Sequence, residues 1–319
     1  MIEKIKIYDL NMDLPDLEKK AVSLGNFDGV HLGHQKLMKN NLEISKKYDL
    51  EPSVLLFKEN TKLRLKDEKE YMTSLEDKIE ILAEMGINTF CLIDFDEKFM
   101  NLSPREFIAE IINKKLNASY VICGKDYRFG RKASGDVETL RKLEDEYDYK
   151  TSVVDFEKED EVNKISSNHL RDLIREGNIR KVNKLLGRNY KIKGRVVDGA
   201  KRGRTLNFPT ANLKLSFNYV LPVDGVYFTK VNIDGASYYA LSNVGTNPTF
   251  DESHRKVETY ILDFNQNIYG KDISIEFVEF FRYDIKFDSK EALIEQMNSD
   301  KKKAYEYLEN ILQNKDELV

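Results

Sequence analysis

Residues 23–34 read Ser-Leu-Gly-Asn-Phe-Asp-Gly-Val-His-Leu-Gly-His, in which a short apolar run breaks into a glycine-bearing turn. The apolar residues 21–24 predict a β-strand, and the apolar spacing that begins at Leu37 predicts a helix after the turn. His31 and His34 then share one face of the first helical turn, where unpaired main-chain N–H groups and the helix dipole favour an anion. The stretch therefore predicts a phosphate site in a nucleotide-handling α/β fold.

A role in a nucleotide site explains the two histidines of this stretch better than a purely structural role in a loop. Isolated histidines are usually satisfied loop residues. The chain has only four histidines, however, and two of them form a His-x-Gly-His pattern directly after a strand and a glycine-bearing turn. Imidazoles placed in this way can donate hydrogen bonds to an α-phosphate while pyrophosphate leaves, with no covalent intermediate. Adenylyl transfer is the reaction class that this arrangement predicts.

Length and composition limit the protein classes that remain. With 319 residues, 41% hydrophobic and 33% charged, the chain is long enough for two cores and has a globular composition. A net charge of -4 and a pI near 5.8 argue against general nucleic-acid binding. Cys91 and Cys123 lie in apolar runs without CxxC spacing, which predicts core residues rather than a redox pair or zinc ligands. No leader or membrane-spanning run is evident, so we expect a cytoplasmic protein that binds no membrane, either a monomer or a weak homo-oligomer.

The first half of the chain alternates between strand and helix patterns. Apolar β-rich runs recur near residues 22, 54, 90, 120 and 152, at the spacing of βαβ units, and predict a parallel α/β sheet. Residues 73–76 and 103–106 are read as capping boxes at helix starts. In such sheets ligands bind beyond the carboxyl ends of the strands. The loops at 25–34 and 124–130 are therefore expected to face one pocket.

A third element, residues 165–171, follows the fifth strand. Ser166 and Ser167 can cap a helix that reaches about residue 176, with Arg171 one turn further on. Hydroxyls, main-chain N–H groups and a guanidinium at a helix start suit the β- and γ-phosphates of a nucleotide. An ordinary N-cap with a surface arginine has the same appearance, so both interpretations stay open.

The pattern changes after a short helix that ends at Gly187. Residues 190–282 read as strands and tight turns, with a hairpin around Asp234-Gly235, and predict a β-barrel or a sandwich. An amphipathic helix over residues 289–312 is expected to pack on this half. The hinge between the halves falls near residues 177–189.

The second half carries its own candidate chemistry. Thr210 and Asn212 project to the same face of an extended segment, where their oxygens suit a hard cation such as Mg²⁺ with a nucleotide. Glu258 interrupts an apolar strand and is either a cross-strand salt-bridge partner, which the pattern alone favours, or a general base. The segment before Thr210 is either a phosphate-binding flap or a charged hairpin loop, and its glycines and cations are Gly199, Lys201, Arg202, Gly203 and Arg204.

Together these motifs resemble the bacterial bifunctional riboflavin kinase/FAD synthetases over nearly the whole chain. The resemblance is carried, in order, by GNFDGVHLGH, GKDYRFG, ISSxxxR, LLGR, FPTAN, VGTNPTF, VETYILDF and LxxQMNxD. It implies a Rossmann-like nucleotidyltransferase domain with a parallel sheet at residues 1–182. It also implies an antiparallel β-barrel riboflavin kinase domain with a C-terminal helix at residues 183–319. The first domain would transfer AMP from ATP to FMN, and the second would transfer the ATP γ-phosphate to riboflavin.

The resemblance also implies a role for each residue already singled out. His31 and His34 would stabilise the α-phosphate, and Glu258 would be the general base of the kinase. Asp126 and Arg128 would lie on the flavin-phosphate side of the first site. Thr210 and Asn212 would hold Mg²⁺ and ATP phosphates. The nucleotide-binding residues would be Gly25, Asn26, Asp28, Gly33, Ser166, Ser167 and Arg171 in the first domain and Gly199, Lys201 and Gly203 in the second.

Three positions depart from the family pattern. Residues 57–61 read Phe-Lys-Glu-Asn-Thr where the family usually carries Phe-x-Pro-His-Pro, which is expected to slow adenylyl transfer or alter ATP placement. Asn168 replaces a threonine, and Asn207 replaces a glycine. A riboflavin kinase with a regulatory first domain is therefore the main alternative. An aminoacyl-tRNA synthetase is opposed by the acidic pI and the lack of a KMSKS-like loop, and a flavin sensor would need neither HxGH nor the Thr210, Asn212 and Glu258 set.

Overall fold

The computed structural model describes residues 5–13, 17–58, 70–155, 165–198, 208–245 and 255–316. The chain divides into two compact units, residues 1–167 and 168–319, and each unit has its own hydrophobic core. None of the described helices combines the length and apolar character that a membrane span needs.

The described part of the first unit is built on a parallel sheet. Its six strands are β1 (Lys6–Asp9), β2 (Lys20–Leu24), β3 (Glu51–Phe57), β4 (Thr89–Ile93), β5 (Ala118–Gly124) and β6 (Lys150–Val154). They lie in the order β1-β4-β3-β2-β5-β6, and all neighbouring pairs are parallel. The five predicted strands and their parallel sheet are confirmed. The edge strand β1 was not predicted, because it is short and half of it is exposed.

Helices cover both faces of this sheet. They are α1 (Leu32–Tyr48), α2 (Leu75–Glu84), α3 (Glu97–Met100), α4 (Pro104–Glu106) with a π-helix (Phe107–Lys115), α5 (Val137–Lys142) and α6 (Glu144–Tyr147). Leu37 of α1 and Leu82 of α2 pack on one face, while Ile111 of the π-helix and Leu140 of α5 pack on the other. Cys91 and Cys123 are free thiols, and both are buried in the core that contains Ile111 and Leu140, as predicted.

Two helix starts were predicted from capping boxes, and one of them is misplaced by a residue. The box at 103–106 is confirmed, with reciprocal bonds between Ser103 and Glu106. The box at 73–76 is wrong, because Ser74 and Asp77 form it instead. The hydroxyl of Thr73 is directed to the nucleotide turn instead, where it accepts a hydrogen bond from the N–H of Gly29 at 2.9 Å and donates to Asp28 Oδ1 at 3.3 Å.

The second unit is a closed antiparallel barrel followed by a long helix. Its described elements are α7 (Ser167–Arg175), in whose first turn the division between the units falls, α8 (Ile179–Leu186), β7 (Tyr190–Val197), β8 (Ala211–Leu215), β9 (Gly225–Ile233), β10 (Ala236–Gly245), β11 (Lys256–Ile261), β12 (Asp272–Tyr283) and α9 (Lys290–Asp316). The strand order is β10-β11-β8-β7-β12-β9, and β9 also pairs with β10, so the sheet closes on itself. The structure therefore selects the barrel over the sandwich.

The local features predicted for this half are present. Asp234 and Gly235 both have positive φ, 49° and 83°, as a two-residue hairpin turn between β9 and β10 requires. Gly187 ends α8 with a φ of 68°. Ala304 and Leu308 of α9 pack on the outside of the barrel against an apolar patch that includes Phe228.

Candidate active sites

The turn between β2 and α1 has an unusual main-chain conformation. Its φ angles are 52° at Phe27, 79° at Gly29 and 39° at Val30. A positive φ is rare for a β-branched residue and is usually found where structure or function imposes it. The ring of Phe27 folds back over Gly25, where an added Cβ would lie 2.9 Å from the ring. Gly25 is therefore required by this ring, a reason that the sequence did not reveal.

The two imidazoles are stacked at the start of α1. Their ring centroids lie 3.7 Å apart, and the Phe27 ring meets the His34 ring edge-on at 5.2 Å. His31 is the N-cap residue, and its Nδ1 accepts a hydrogen bond from the His34 N–H at 3.4 Å. A neutral imidazole that accepts at Nδ1 carries its proton on Nε2. In its neutral form the His31 ring therefore carries its N–H at Nε2, at a helix N-terminus.

A cavity of about 740 Å³ opens beside these histidines, within the first unit. The loops at 25–34 and 124–130 both contribute to its wall, so the expectation that they face one pocket is confirmed. The structure brings together on this wall most of the predicted residues of the first site, namely Gly25, Asn26, His31, Gly33, His34, Asp126, Arg128, Ser166 and Ser167.

Asp28 does not line this cavity. Its side chain is fully buried, and Oδ1 accepts hydrogen bonds from the N–H groups of Met72 at 2.9 Å and Thr73 at 3.2 Å. The Ser167 hydroxyl donates to the main-chain carbonyl of Asp28 at 2.9 Å, whereas the sequence predicted that it caps the helix. In this structure Asp28 therefore joins the nucleotide turn to the loop before α2. Arg171 belongs to the second unit, where its guanidinium donates to Asn168 and is largely buried.

The cavity also has an aromatic wall that the sequence analysis missed. The aromatic residues lining it apart from Phe27 and the histidines are Phe57, Phe95, Phe99, Phe107, Tyr127 and Phe129. Neighbouring rings lie at packing distance, with centroids 5.1 Å apart for Phe57 and Phe95 and 5.1 Å apart for Phe107 and Phe129. These rings come from separate segments of the chain. No local sequence signal could have grouped them.

The segment that departs from the family pattern begins at this wall. Phe57 lines the cavity, and the ammonium of Lys58 lies 2.6 Å from Asp9 Oδ2 and 3.6 Å from Asp94 Oδ2. Asp9 is the last residue of β1 and Asp94 follows β4, so Lys58 is held on the β4 side of β3, opposite to the nucleotide turn after β2. Residues 59–61 lie outside the described residues.

In the barrel, Glu258 lies among polar side chains. It pairs in register with Asn212 on β8 and with Asn243 on β10, and its Oε2 accepts a hydrogen bond from Thr210 Oγ1 at 3.3 Å. The structure therefore brings together the three residues predicted for this site. Within the part of the chain that the structure describes, Glu258 forms no ion pair, so the salt-bridge interpretation finds no support there. The flap residues Gly199, Lys201 and Gly203, as well as Asn207, lie outside the described residues.

The oxygen atoms beside Glu258 fit a hard divalent cation. The hydroxyl of Thr210 and the amide carbonyl of Asn212 are ligands that Mg²⁺ accepts, and such sites usually complete the ion's shell with water and substrate phosphates. Because Thr210 donates its proton to Glu258, the lone pairs of its oxygen stay available to a cation. Among the described residues no cluster of three or more His, Cys, Asp or Glu forms a protein-only metal centre.

Two further contacts of the barrel were not foreseen. Arg282 makes a two-pronged ion pair with Asp300 of α9, at 3.0 Å from Nε and 2.7 Å from Nη2, and Gln296 donates to the same carboxylate at 2.9 Å. Asn243 donates to Asp284 at 2.6 Å. The first contact fastens α9 to β12, and the second fastens the chain after β12 to β10, the strand that pairs with β11 at Glu258. The partners lie on different strands and on α9, so their pairing is a product of the tertiary fold.

Fold and sites together define an enzyme with two nucleotide-using domains. Sequence models of FAD synthetase and of riboflavin kinase match residues 13–169 and 186–308. A bifunctional riboflavin kinase/FMN adenylyltransferase of Listeria monocytogenes is 37% identical over 88% of this chain and 90% of the relative, and that of Bacillus subtilis is 37% identical over 92% and 94%. The chain therefore belongs to the bifunctional riboflavin kinase/FMN adenylyltransferase family. A crystal structure described as a macrolide-efflux protein from Streptococcus pneumoniae is similar to it, with a TM-score of 0.84 and 34% identity over 93% of this chain and 98% of that one.

Proposed function

We propose that this chain converts riboflavin to FMN and FMN to FAD. We assign the second step to residues 1–182 and the first step to residues 183–319. The family-model matches at 13–169 and 186–308 fall inside these ranges. The observation that carries the proposal is that each half holds its own set of reactive side chains, the stacked histidines at a cavity and the Thr210–Glu258 pair on the barrel.

In the adenylyl transfer step, an oxygen of the FMN phosphate attacks the α-phosphorus of ATP. The bond between the α-phosphorus and its bridging oxygen breaks, and pyrophosphate leaves with the electron pair. Nε2–H of His31 and the N-terminus of α1 donate to the α-phosphate as charge shifts across it. We assign Asn26, Gly33, Ser166 and Ser167 to the remaining nucleotide contacts. Asp28 acts by holding the turn.

The aromatic wall suits the isoalloxazine ring of FMN. A planar flavin offers a large face to rings that line a cavity, and offset or edge-on contacts between aromatic groups are favourable. Phe57 and Phe95 lie on the wall, as do Asp126 and Arg128 on the loop after β5. We place the flavin ring against the aromatic wall, with its phosphate directed toward the histidines, where the α-phosphate of ATP must lie for attack.

In the kinase step, Glu258 takes the proton of the riboflavin 5′-hydroxyl as that oxygen attacks the γ-phosphorus of ATP, and ADP leaves. Thr210 and Asn212 would hold Mg²⁺, which neutralises charge on the phosphates when bound. We assign Gly199, Lys201 and Gly203 to the phosphates of this nucleotide. Both cysteines are free thiols and both steps consume ATP, which supports a cytoplasmic location.

The test is chromatography of the flavins formed by the purified chain with ATP and Mg²⁺, started in parallel from riboflavin and from FMN. FAD in both reactions supports both steps. FMN that accumulates without FAD would instead identify a riboflavin kinase whose first domain has lost adenylyl transfer, and would point to the altered segment at 57–61. If the chain forms neither FMN nor FAD, the proposal is refuted.

A further inference from the structure

We infer that Lys132 binds a phosphate in the cavity of the first unit and selects FMN over riboflavin as the acceptor of AMP. This inference rests on the proposed adenylyl transfer. Lys132 lines the cavity together with Arg128, but no motif in the sequence singled it out. Three independent observations carry the inference: the rigidity of its loop, its strained main chain and the pairing of the other charges on the wall.

The loop that carries Lys132 is closed at its base. Phe129 and Gly135 exchange main-chain hydrogen bonds of 3.2 and 2.9 Å, and the ring of Phe129 covers Gly135, where an added Cβ would lie 2.8 Å away. The N–H of Arg131 donates to the carbonyl of Leu102 at 2.6 Å. The loop is therefore tied to the segment before α4, and its tip holds a defined place on the wall.

The main chain at the tip is strained. Lys132 and Ala133 have φ angles of 54° and 55°, so two successive residues other than glycine adopt the left-handed conformation. Each such residue is unfavourable by a measurable amount and persists only where the surroundings enforce it, as they do at ligand-binding loops. The strain points to a function for the side chain or the main-chain N–H groups at this tip.

Of the two described lysine and arginine residues that line the cavity, Lys132 is the one without a carboxylate partner. Arg128 lies 3.4 Å from the carboxylate of Asp136, and Asp155 on the wall lies 3.3 Å from Lys125. Within the described parts of the chain, Lys132 pairs with no carboxylate. A lysine ammonium on a cavity wall that also carries a nucleotide turn is suited to phosphate.

The position of the loop favours the phosphate of FMN over those of ATP. The loop begins at Phe129, whose ring packs against Phe107 on the aromatic wall. The proposed adenylyl transfer already assigns the α-phosphate of ATP to the N-terminus of α1 and the two histidines. Riboflavin lacks the phosphate, so an interaction with Lys132 would distinguish the two flavins.

The test compares the unaltered full-length chain with Lys132→Met, Lys132→Arg and Arg131→Met. Arg131 is the adjacent residue, is also exposed and is not on the cavity wall, so its replacement removes the same charge from the same loop. FAD formation from FMN is measured while FMN and ATP are varied separately. Lys132→Met is expected to raise the KM for FMN about tenfold or more and to leave the KM for ATP within about twofold, as loss of one charge-assisted contact implies. Lys132→Arg is expected to restore most of the affinity, and Arg131→Met to change neither constant.

A second readout uses inorganic phosphate as the probe. It is expected to compete with FMN in the unaltered chain and in Arg131→Met, and to lose this effect in Lys132→Met. A rise in the KM for ATP alone would move the contact to the nucleotide and overturn the assignment to FMN. Unchanged constants for both substrates would overturn the inference altogether.

Failure of the proposed function is separable from failure of this inference. If the unaltered chain makes no FAD, adenylyl transfer is refuted, and binding of FMN and of riboflavin is measured directly through the quenching of flavin fluorescence. Lys132→Met is then expected to weaken FMN binding and to leave riboflavin binding unchanged. Equal binding of FMN by the variant and the unaltered chain would refute the phosphate contact.

Discussion

Replacement of Asp28 tests whether this residue holds the nucleotide turn in place or contacts the nucleotide itself. The carboxylate is fully buried, and its Oδ1 accepts the N–H groups of Met72 and Thr73 at 2.9 and 3.2 Å and the Thr73 hydroxyl at 3.3 Å. The same threonine hydroxyl accepts the N–H of Gly29 at 2.9 Å. Loss of the carboxylate would therefore loosen both the turn and the start of α2.

The expected loss of unfolding free energy follows from the hydrogen-bond donors that lose Asp28 as their acceptor. Asp28→Ala leaves two buried main-chain N–H groups without an acceptor, at about 1–3 kcal/mol each, so the first unit is expected to lose about 2–6 kcal/mol of unfolding free energy. Asp28→Asn keeps the shape and one oxygen acceptor, and it replaces the charge and the second oxygen with a neutral NH2 group. Because hydrogen bonds to a charged group are stronger than neutral ones, this variant is expected to lose about 1–2 kcal/mol.

Urea unfolding followed by circular dichroism measures this loss, and hydrogen exchange at the amides of Met72 and Thr73 locates it. The rate of FMN formation from riboflavin is the internal reference, since the barrel is a separate compact unit and is expected to be unaffected. If Asp28→Ala unfolds at the same urea concentration as the unaltered chain but no longer forms FAD, the carboxylate acts on the nucleotide and the structural interpretation is wrong.

Three further predictions concern other parts of the molecule. His31→Ala is expected to abolish FAD formation from FMN and spare FMN formation, and Glu258→Gln to abolish FMN formation and spare FAD formation from added FMN; loss of both activities in either variant would contradict separate sites. Burial alone would raise the pKa of Glu51, but hydrogen bonds from Lys6 and Lys20 outweigh it and lower the net pKa below its usual value. Its ionised form therefore stabilises the fold above about pH 4.5, and the stability gap between the unaltered chain and Glu51→Gln should narrow in urea titrations as the pH falls from there through the lowered pKa. Gly25→Ala should displace the ring that covers it and lower FAD formation while FMN formation, assayed in parallel, stays unchanged.

Much of the fold could be read from local patterns. Five apolar runs separated by helical spacing were sufficient for the parallel sheet, because buried parallel strands are apolar along their whole length. The turn at Asp234 was also predicted from the sequence, since a two-residue hairpin needs positive φ angles. The strand pattern did not decide between a barrel and a sandwich, because both use the same alternating strands. It depends on whether β9 closes against β10 and β12.

The candidate sites divide in the same way. The sequence by itself determined that two histidines share one face of a helix start, because they lie three residues apart. The grouping of Thr210 with Glu258 came from the resemblance to a known family, because the local pattern alone favoured a salt bridge for Glu258. Only the tertiary structure decided that Asp28 holds a loop, that aromatic rings from separate segments form one wall, and that Lys132 stands on it. The physical reason is that burial, ring packing and charge pairing are properties of groups brought together in space, and their separation along the chain carries no local signal.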